Sequence, residues 1–138
     1  MQKKMLVATV LLTVFMLAAT MAYAAAPNVA SPMFSYTNSI SASLTLNGGE
    51  ATCSANAKPS NSSTSNSFSA KLQRLEGSNW VTVKTWTDSS TNGEKVYAGG
   101  TKTVSTGYTY RVQATLTVKD ANGKVLETAT VTSLTRSN

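Results

Sequence analysis

A chain of 138 residues with no histidine and a single cysteine offers no Ser-His-Asp or Cys-His catalytic centre, no histidine-based zinc site and no internal disulfide. Twelve Lys and Arg against six Asp and Glu set the net charge at +6. The cations fall singly along the chain, which suits solubility or weak attraction to anionic polymers better than the clustered basic face of a nucleic-acid binder.

Lys3 and Lys4 precede the apolar run MLVATVLLTVFMLAA at residues 5–19, and the small residues after it include Ala22-Tyr23-Ala24. A cationic start, an apolar run and a small-x-small site make a secretory signal peptide over residues 1–26, cut after Ala24 or Ala26. The alternative, a membrane-spanning helix, needs about 20 apolar residues, more than this run supplies. Cleavage leaves ten cations against six acids, a charge of +4, on a single domain over residues 27–138. Such a product is secreted and extracellular, with no membrane contact once the leader is gone. Lacking a disulfide, it stands on its hydrophobic core alone.

That domain keeps no helical period. It reads as short alternating runs broken by turn residues, the pattern of an all-β sandwich. ISASLTL (40–46) sets Ile40, Ala42, Leu44 and Leu46 against Ser41, Ser43 and Thr45, and Asn47-Gly48-Gly49 supplies a tight hairpin. EATCSANAK (50–58) returns with Ala51, Cys53, Ala55 and Ala57 inward, so something large must pack across from it. The polar stretch PSNSSTSNS (59–67) predicts a solvated crossing loop, and its Asn61-Ser62-Ser63 fits a glycosylation acceptor, a triplet frequent by chance in Ser-rich loops. FSAKLQRL (68–75) and WVTVKTW (80–86) form a hairpin across EGSN, with a polar turn expected at DSSTNG (88–93). EKVYAGGTKTVS (94–105) predicts one or two irregular strands, bent or bulged at Gly99-Gly100. GYTYRVQATLTV (107–118) is the cleanest alternating run, and the loop DANG (120–123) leads to a closing strand in KVLETATVTSLT (124–135). About seven strands with turn signals every 8 to 12 residues fit an immunoglobulin-like sandwich.

In such sandwiches a tyrosine near the start of the sixth strand turns its hydroxyl back to the upstream backbone. Tyr108, directly after Gly107, is placed for that corner, and Tyr110 then fills the core opposite Cys53. Cys53 itself, at an inward position between alanines, reads as a buried, inert thiol rather than an intermolecular disulfide or a reactive group.

Gly107 followed by Tyr108-Thr-Tyr110-Arg111-Val112-Gln-Ala114, with the DANG hairpin behind it, resembles the sixth strand of fibronectin type III domains. LQRLEGSNWVTVKTW is similar to the central hairpin of that superfamily. The resemblance implies a non-catalytic binding or spacer role. It departs at the second strand, where Cys53 stands in place of the usual core tryptophan. Over most of the mature chain, ATCSANA, KLQRLEGSNWVTVKTW and TVSTGYTYRVQATLTV also resemble small secreted single-domain proteins of unassigned function from Gram-positive anaerobes, which implies a bacterial, exported product.

The six acids, Glu50, Glu76, Asp88, Glu94, Asp120 and Glu127, lie singly in or beside turns. Nothing in their spacing suggests the facing carboxylates of a glycosidase or an Asp-x-Asp calcium pattern, so no catalytic, cofactor-binding or metal residue is expected and no cofactor. Trp80 and Trp86 are the candidate ligand contacts. They share a parity opposite Val81 and Val83, so with the valines inward both indoles face out, roughly 20 Å apart at about 3.3 Å per residue. Exposed, they would stack on sugar rings or anchor a protein; the commoner fate of an indole is to cover apolar surface. These readings converge on a secreted, non-enzymatic binding module. Its partner is a cell-wall or host glycan or a surface protein, not nucleic acid; the rival of another class is a small hydrolase or inhibitor.

Overall fold

A computed structural model describes residues 33–61 and 64–138. The expected signal peptide at residues 1–26 lies outside the described residues, as do Ser62 and Ser63 of the acceptor triplet. The described chain holds eight strands and no helix: β1 (Thr37–Asn47), β2 (Glu50–Pro59), β3 (Ser65–Glu76), β4 (Asn79–Thr91), β5 (Val96–Thr103), β6 (Thr109–Lys119), β7 (Val125–Thr132) and β8 (Arg136–Ser137). One sheet has the order β1-β2-β5; the other runs β4-β3-β6-β7, with β8 beside β6. All pairings are antiparallel.

Alternation places the core as expected. Ala51, Cys53, Ala55 and Ala57 of β2 are buried, and the opposing sheet brings bulk: Phe68 and Leu72 from β3, and Tyr110, Val112, Leu116 and Val118 from β6. Burial in this apolar lining pushes the Cys53 thiol up to about 11, because the thiolate loses its hydration.

Three elements depart from the sequence-based expectation. Ser65–Asn66–Ser67 belongs to β3 and Asp88–Ser89–Ser90–Thr91 to β4. Their polar residues pair along the ladder, and buried Asn66 is satisfied by Thr64 Oγ1 at 3.3 Å and Ser90 Oγ at 3.3 Å. The turn shrinks to Asn92-Gly93, both with positive φ (57° and 70°). Gly99-Gly100 is neither bend nor bulge, since β5 keeps continuous register with β2 through Ser54↔Gly99 and Cys53↔Gly100. These glycines serve close approach instead. A side chain at Gly99 would collide with the Cys53 carbonyl, and a Cβ at Gly100 would sit 2.9 Å from Trp86 Nε1.

The corner bond expected of Tyr108 is made by Tyr110. Fully buried, Tyr110 donates its hydroxyl proton to the Ser105 carbonyl at 2.6 Å. Tyr108 precedes the ladder. Its neighbour Gly107 donates to the Asn138 carbonyl at 2.8 Å, and Asn138 N donates to the Tyr108 carbonyl at 3.2 Å. This pairing leaves the Tyr108 ring on the rim, 40 % exposed, with the Arg74 guanidinium 4.5 Å from its centroid.

The sheets are also clasped at both edges by carboxylates. Glu127 on β7 accepts from Ser35 N at 2.7 Å, Tyr36 N at 3.1 Å and Thr37 Oγ1 at 2.6 Å, tying in the start of β1. At the opposite edge Asp88 on β4 accepts from Tyr97 N on β5 at 2.9 Å. Hydrogen bonds to a charged acceptor contribute about 1.5–3 kcal/mol, less where water competes. Glu127→Ala is therefore expected to lower unfolding stability by about 2 kcal/mol and Asp88→Ala by about 1 kcal/mol. Sharing no partner, the two losses add in the double variant; urea denaturation of all four proteins checks this.

Cys53 gives a pH prediction. The unfolded thiol ionises near 9.0 while the folded one keeps its proton to about 11. Its contribution is therefore complete below pH 9 and is lost as pH rises towards 11. Stability of the native chain relative to Cys53→Ala should fall by about 2–3 kcal/mol across that window, read from urea midpoints between pH 7 and 11.

Candidate functional site

The β3–β4 ladder decides what the two tryptophans do. Register runs Ala70↔Trp86 and Leu72↔Lys84, then Gln73↔Thr82 and Leu75↔Trp80, so Val83 is an extra residue on β4. One inserted residue reverses which face the following side chains occupy. Trp86 therefore shares the inward face of buried Ala70, and its indole lies over Gly100 and against the core. Trp80 shares the outward face with Leu75, Gln73 and Thr82. Of the two alternatives weighed for the indoles, Trp86 takes the covering role, half-buried against the core, while Trp80, also half-buried, stands on the outward register, so the two do not share one face.

Trp80 is not a bare platform either. The Arg111 guanidinium of β6 stacks on its ring, 4.1 Å from the centroid, a cation–π contact. Arg111 Nε donates to Gln73 Oε1 at 2.8 Å, and β3–β6 register sets Gln73 directly beside Arg111. The guanidinium is thus held flat on one side and tethered at Nε, leaving its terminal nitrogens unpaired among the described residues. Gln73 is only 8 % exposed, and its amide nitrogen likewise has no partner among them.

From this corner the outer face of β4-β3-β6-β7 continues in registered rows. Thr85, Lys71, Gln113 and Thr132 form one; Thr87, Ser69, Thr115 and Thr130 the next; Ser89, Ser67, Thr117 and Thr128 a third. The Thr115 and Thr130 hydroxyls lie 3.2 Å apart, and the Thr109 and Ser137 hydroxyls 3.1 Å apart. A shallow groove of about 280 Å³ runs over the last two rows, lined by Ser67, Phe68, Ser69, Thr87, Asp88, Thr115 and Thr117.

Among the carboxylates, Asp88 lines this groove, and the others lie elsewhere. Glu127 and Asp88 hold the edges, on the inward register of Val118 and Phe68. Asp120 Oδ1 accepts from Asn122 N and Lys124 N, both at 2.9 Å, inside the β6–β7 loop. Glu76 pairs with Arg74, and this hydrogen bond keeps the Arg74 guanidinium above its ordinary pKa. Among the described residues no group of three or more His, Cys, Asp or Glu is arranged to hold a metal ion. Cys53 lies in the core on β2 of the other sheet, beside β5. Tyr108 and Tyr110 are likewise apart from it: one is on the rim, the other in the core.

Sequence reasoning missed Arg111, Gln73, Lys71 and the hydroxyl rows. Their signal was present as polar residues at every second position in SNSFS and TATVT. Only cross-strand register brings those positions together.

No family model matches the chain, and no curated protein matches it. Among solved structures it is similar to Spo0M, a sporulation control protein from Bacillus subtilis, at 10 % identity and a TM-score of 0.34; the match covers 72 % of this chain and 50 % of that one. The chain thus spans about half the length of that structure.

Proposed function

We propose that this chain is an exported, non-enzymatic interaction module that binds an extracellular or cell-surface ligand through the outer face of β4-β3-β6-β7. The observation that carries this reading is the composition of that face. A pinned Arg111, a stacked Trp80, a Gln73 amide nitrogen without a partner among the described residues and three rows of polar side chains lie together on one exposed sheet. A non-enzymatic role is supported by the carboxylates: Glu76, Asp88, Asp120 and Glu127 each hold a structural bond. Export is supported by the leader pattern in residues 1–26 and by the likeness to small secreted proteins of Gram-positive anaerobes. The fold belongs, in this reading, to the immunoglobulin superfold in its fibronectin type III arrangement. Supporting it are the strand order β1-β2-β5 against β4-β3-β6-β7 and the Tyr110 hydroxyl bond.

Expression of the full chain in a Gram-positive host, with N-terminal sequencing of the product in the medium, is expected to show a cut after Ala24 or Ala26. Retention of that product on intact cells tests the face. Trp80→Ala and Thr115→Trp, which change the face by removing or adding bulk, should each reduce retention at least about fivefold. That corresponds to roughly 1 kcal/mol, the usual cost of truncating an interface residue that matters. A Ser43→Trp control on β1 should leave it unchanged. Retention insensitive to both face variants, with folding intact by circular dichroism, assigns binding to another surface.

A further inference from the structure

The outer face of β4-β3-β6-β7 has a charge pattern that its strands do not share elsewhere. It carries Lys71, Arg111 and Lys119 in outward register, and none of the six carboxylates shares that register. Glu76 and Asp88 stand on the inward parity of β3 and β4, and Glu127 on that of β7. Asp120 and Glu94 are in loops, and Glu50 belongs to the other sheet. An outward register with three cations and rows of hydroxyls, reached by the single carboxylate of Asp88, which lines the groove and is engaged by Tyr97 N, matches a ligand that is anionic and rich in hydroxyls at once.

We infer that this face binds an anionic polysaccharide, with Arg111 and Lys71 taking its acidic groups; this rests on the interaction reading above. Arg111 is prepared for the task. Stacking on Trp80 at 4.1 Å and the Nε bond to Gln73 at 2.8 Å fix the plane of its guanidinium. Its two terminal nitrogens are left as a fork whose geometry lets them donate to both oxygens of a carboxylate or phosphate. Little side-chain freedom remains to be lost on binding, which favours affinity. The amide nitrogen of Gln73, a residue 8 % exposed, has no partner among the described residues and supplies a further donor beside the fork. Lys71 stands one row on, diagonal to Arg111, within about 7–8 Å by sheet geometry. Beyond it the Ser67, Ser69, Thr115 and Thr117 hydroxyls line the groove together with the Asp88 carboxylate; each hydroxyl both donates and accepts as sugar hydroxyls do, and the acidic groups of the ligand are taken at the Arg111 and Lys71 end. A protein partner fits the rows less well, since protein interfaces are depleted in Ser and Lys and draw on aromatic and Met side chains at their core.

Affinity electrophoresis of the secreted chain in native gels tests this, with polygalacturonate (carboxylate) and teichoic acid (phosphodiester) in separate gels. Dextran supplies sugar without charge, and polyaspartate supplies carboxylate without sugar. Retardation is expected with at least one anionic polysaccharide, which identifies the acidic group, exceeding that with dextran or polyaspartate. Arg111→Gln/Lys71→Gln should weaken it about tenfold, the combined loss of two partly exposed charge contacts. Lys102→Gln/Lys124→Gln removes the same charge from other surfaces and should leave it within about twofold. Lys71→Gln alone, at an exposed position, covers the case in which Arg111 variants misfold, and Arg111→Lys, which keeps charge but not the fork, should fall between. Equal retardation by polyaspartate, equal loss in the control variant, or no retardation by either anionic polysaccharide overturns the inference. Loss of cell retention in Trp80→Ala without any polysaccharide retardation would leave the interaction reading standing and remove only this ligand.

Discussion

The fit between a strand of small residues and the bulk opposite it is the constraint on which the rest of this molecule depends. β2 faces inward with Ala51, Cys53, Ala55 and Ala57, so the distance between the sheets is set by what the second sheet brings: Phe68, Leu72, Tyr110 and Leu116. Gly99 and Gly100 extend the same logic into β5. At Gly99 the missing Cβ lets β5 lie against the Cys53 carbonyl, and at Gly100 it makes room for the Trp86 indole. Interiors packed to crystal-like density transmit such substitutions to their neighbours. A methyl group at Gly100 would therefore act on Trp86, and through it on the β4 edge.

With one cysteine and no internal disulfide, closure of the open edges falls to polar groups. Glu127 gathers Ser35, Tyr36 and Thr37 at the β7–β1 edge, while Asp88 takes Tyr97 N at the β4–β5 edge. The arrangement has a consequence for the surface. Carboxylates drawn to the edges and loops to hold the fold are absent from the outward register of β4-β3-β6-β7, whose cations therefore have no acid beside them in that register. The same few carboxylates thus bear both on how the sandwich closes and on the charge that its broad face presents.

Alternation made much of this legible. β2 and β6 keep strict period two against a buried neighbour, and the sequence marks their inward residues one by one. It failed where the ladder is irregular or where polar residues pair. Val83 is indistinguishable in sequence from any strand valine, yet as a bulge it sends Trp80 and Trp86 to opposite faces. The turn expected at DSSTNG and the loop expected at PSNSSTSNS are partly strand, because ladder hydrogen bonds and the Asn66 contacts satisfy residues whose polarity suggests a turn. Tyr108 and Tyr110 share a parity, so only the start of pairing at Thr109 decides which of them reaches Ser105.

The face itself shows why a candidate site of this kind escapes a search for motifs. Arg111, Gln73 and Trp80 come from three different strands and are neighbours only through register. Gln73 lies 38 residues from Arg111 in sequence, and no local spacing relates them. What period two does reveal is the composition of each strand's outward edge: Ser65, Ser67 and Ser69; Thr115 and Thr117; Thr128, Thr130 and Thr132. Each is ordinary alone, since β-branched Thr suits an exposed strand. Stacked in register they become a continuous hydroxyl surface bounded at one end by a guanidinium that is held in place before any ligand arrives. In the proposed reading recognition is carried by the ladder as a whole, so the bulge at Val83, by turning Trp80 outward beneath Arg111, is as much a determinant of the candidate site as the arginine.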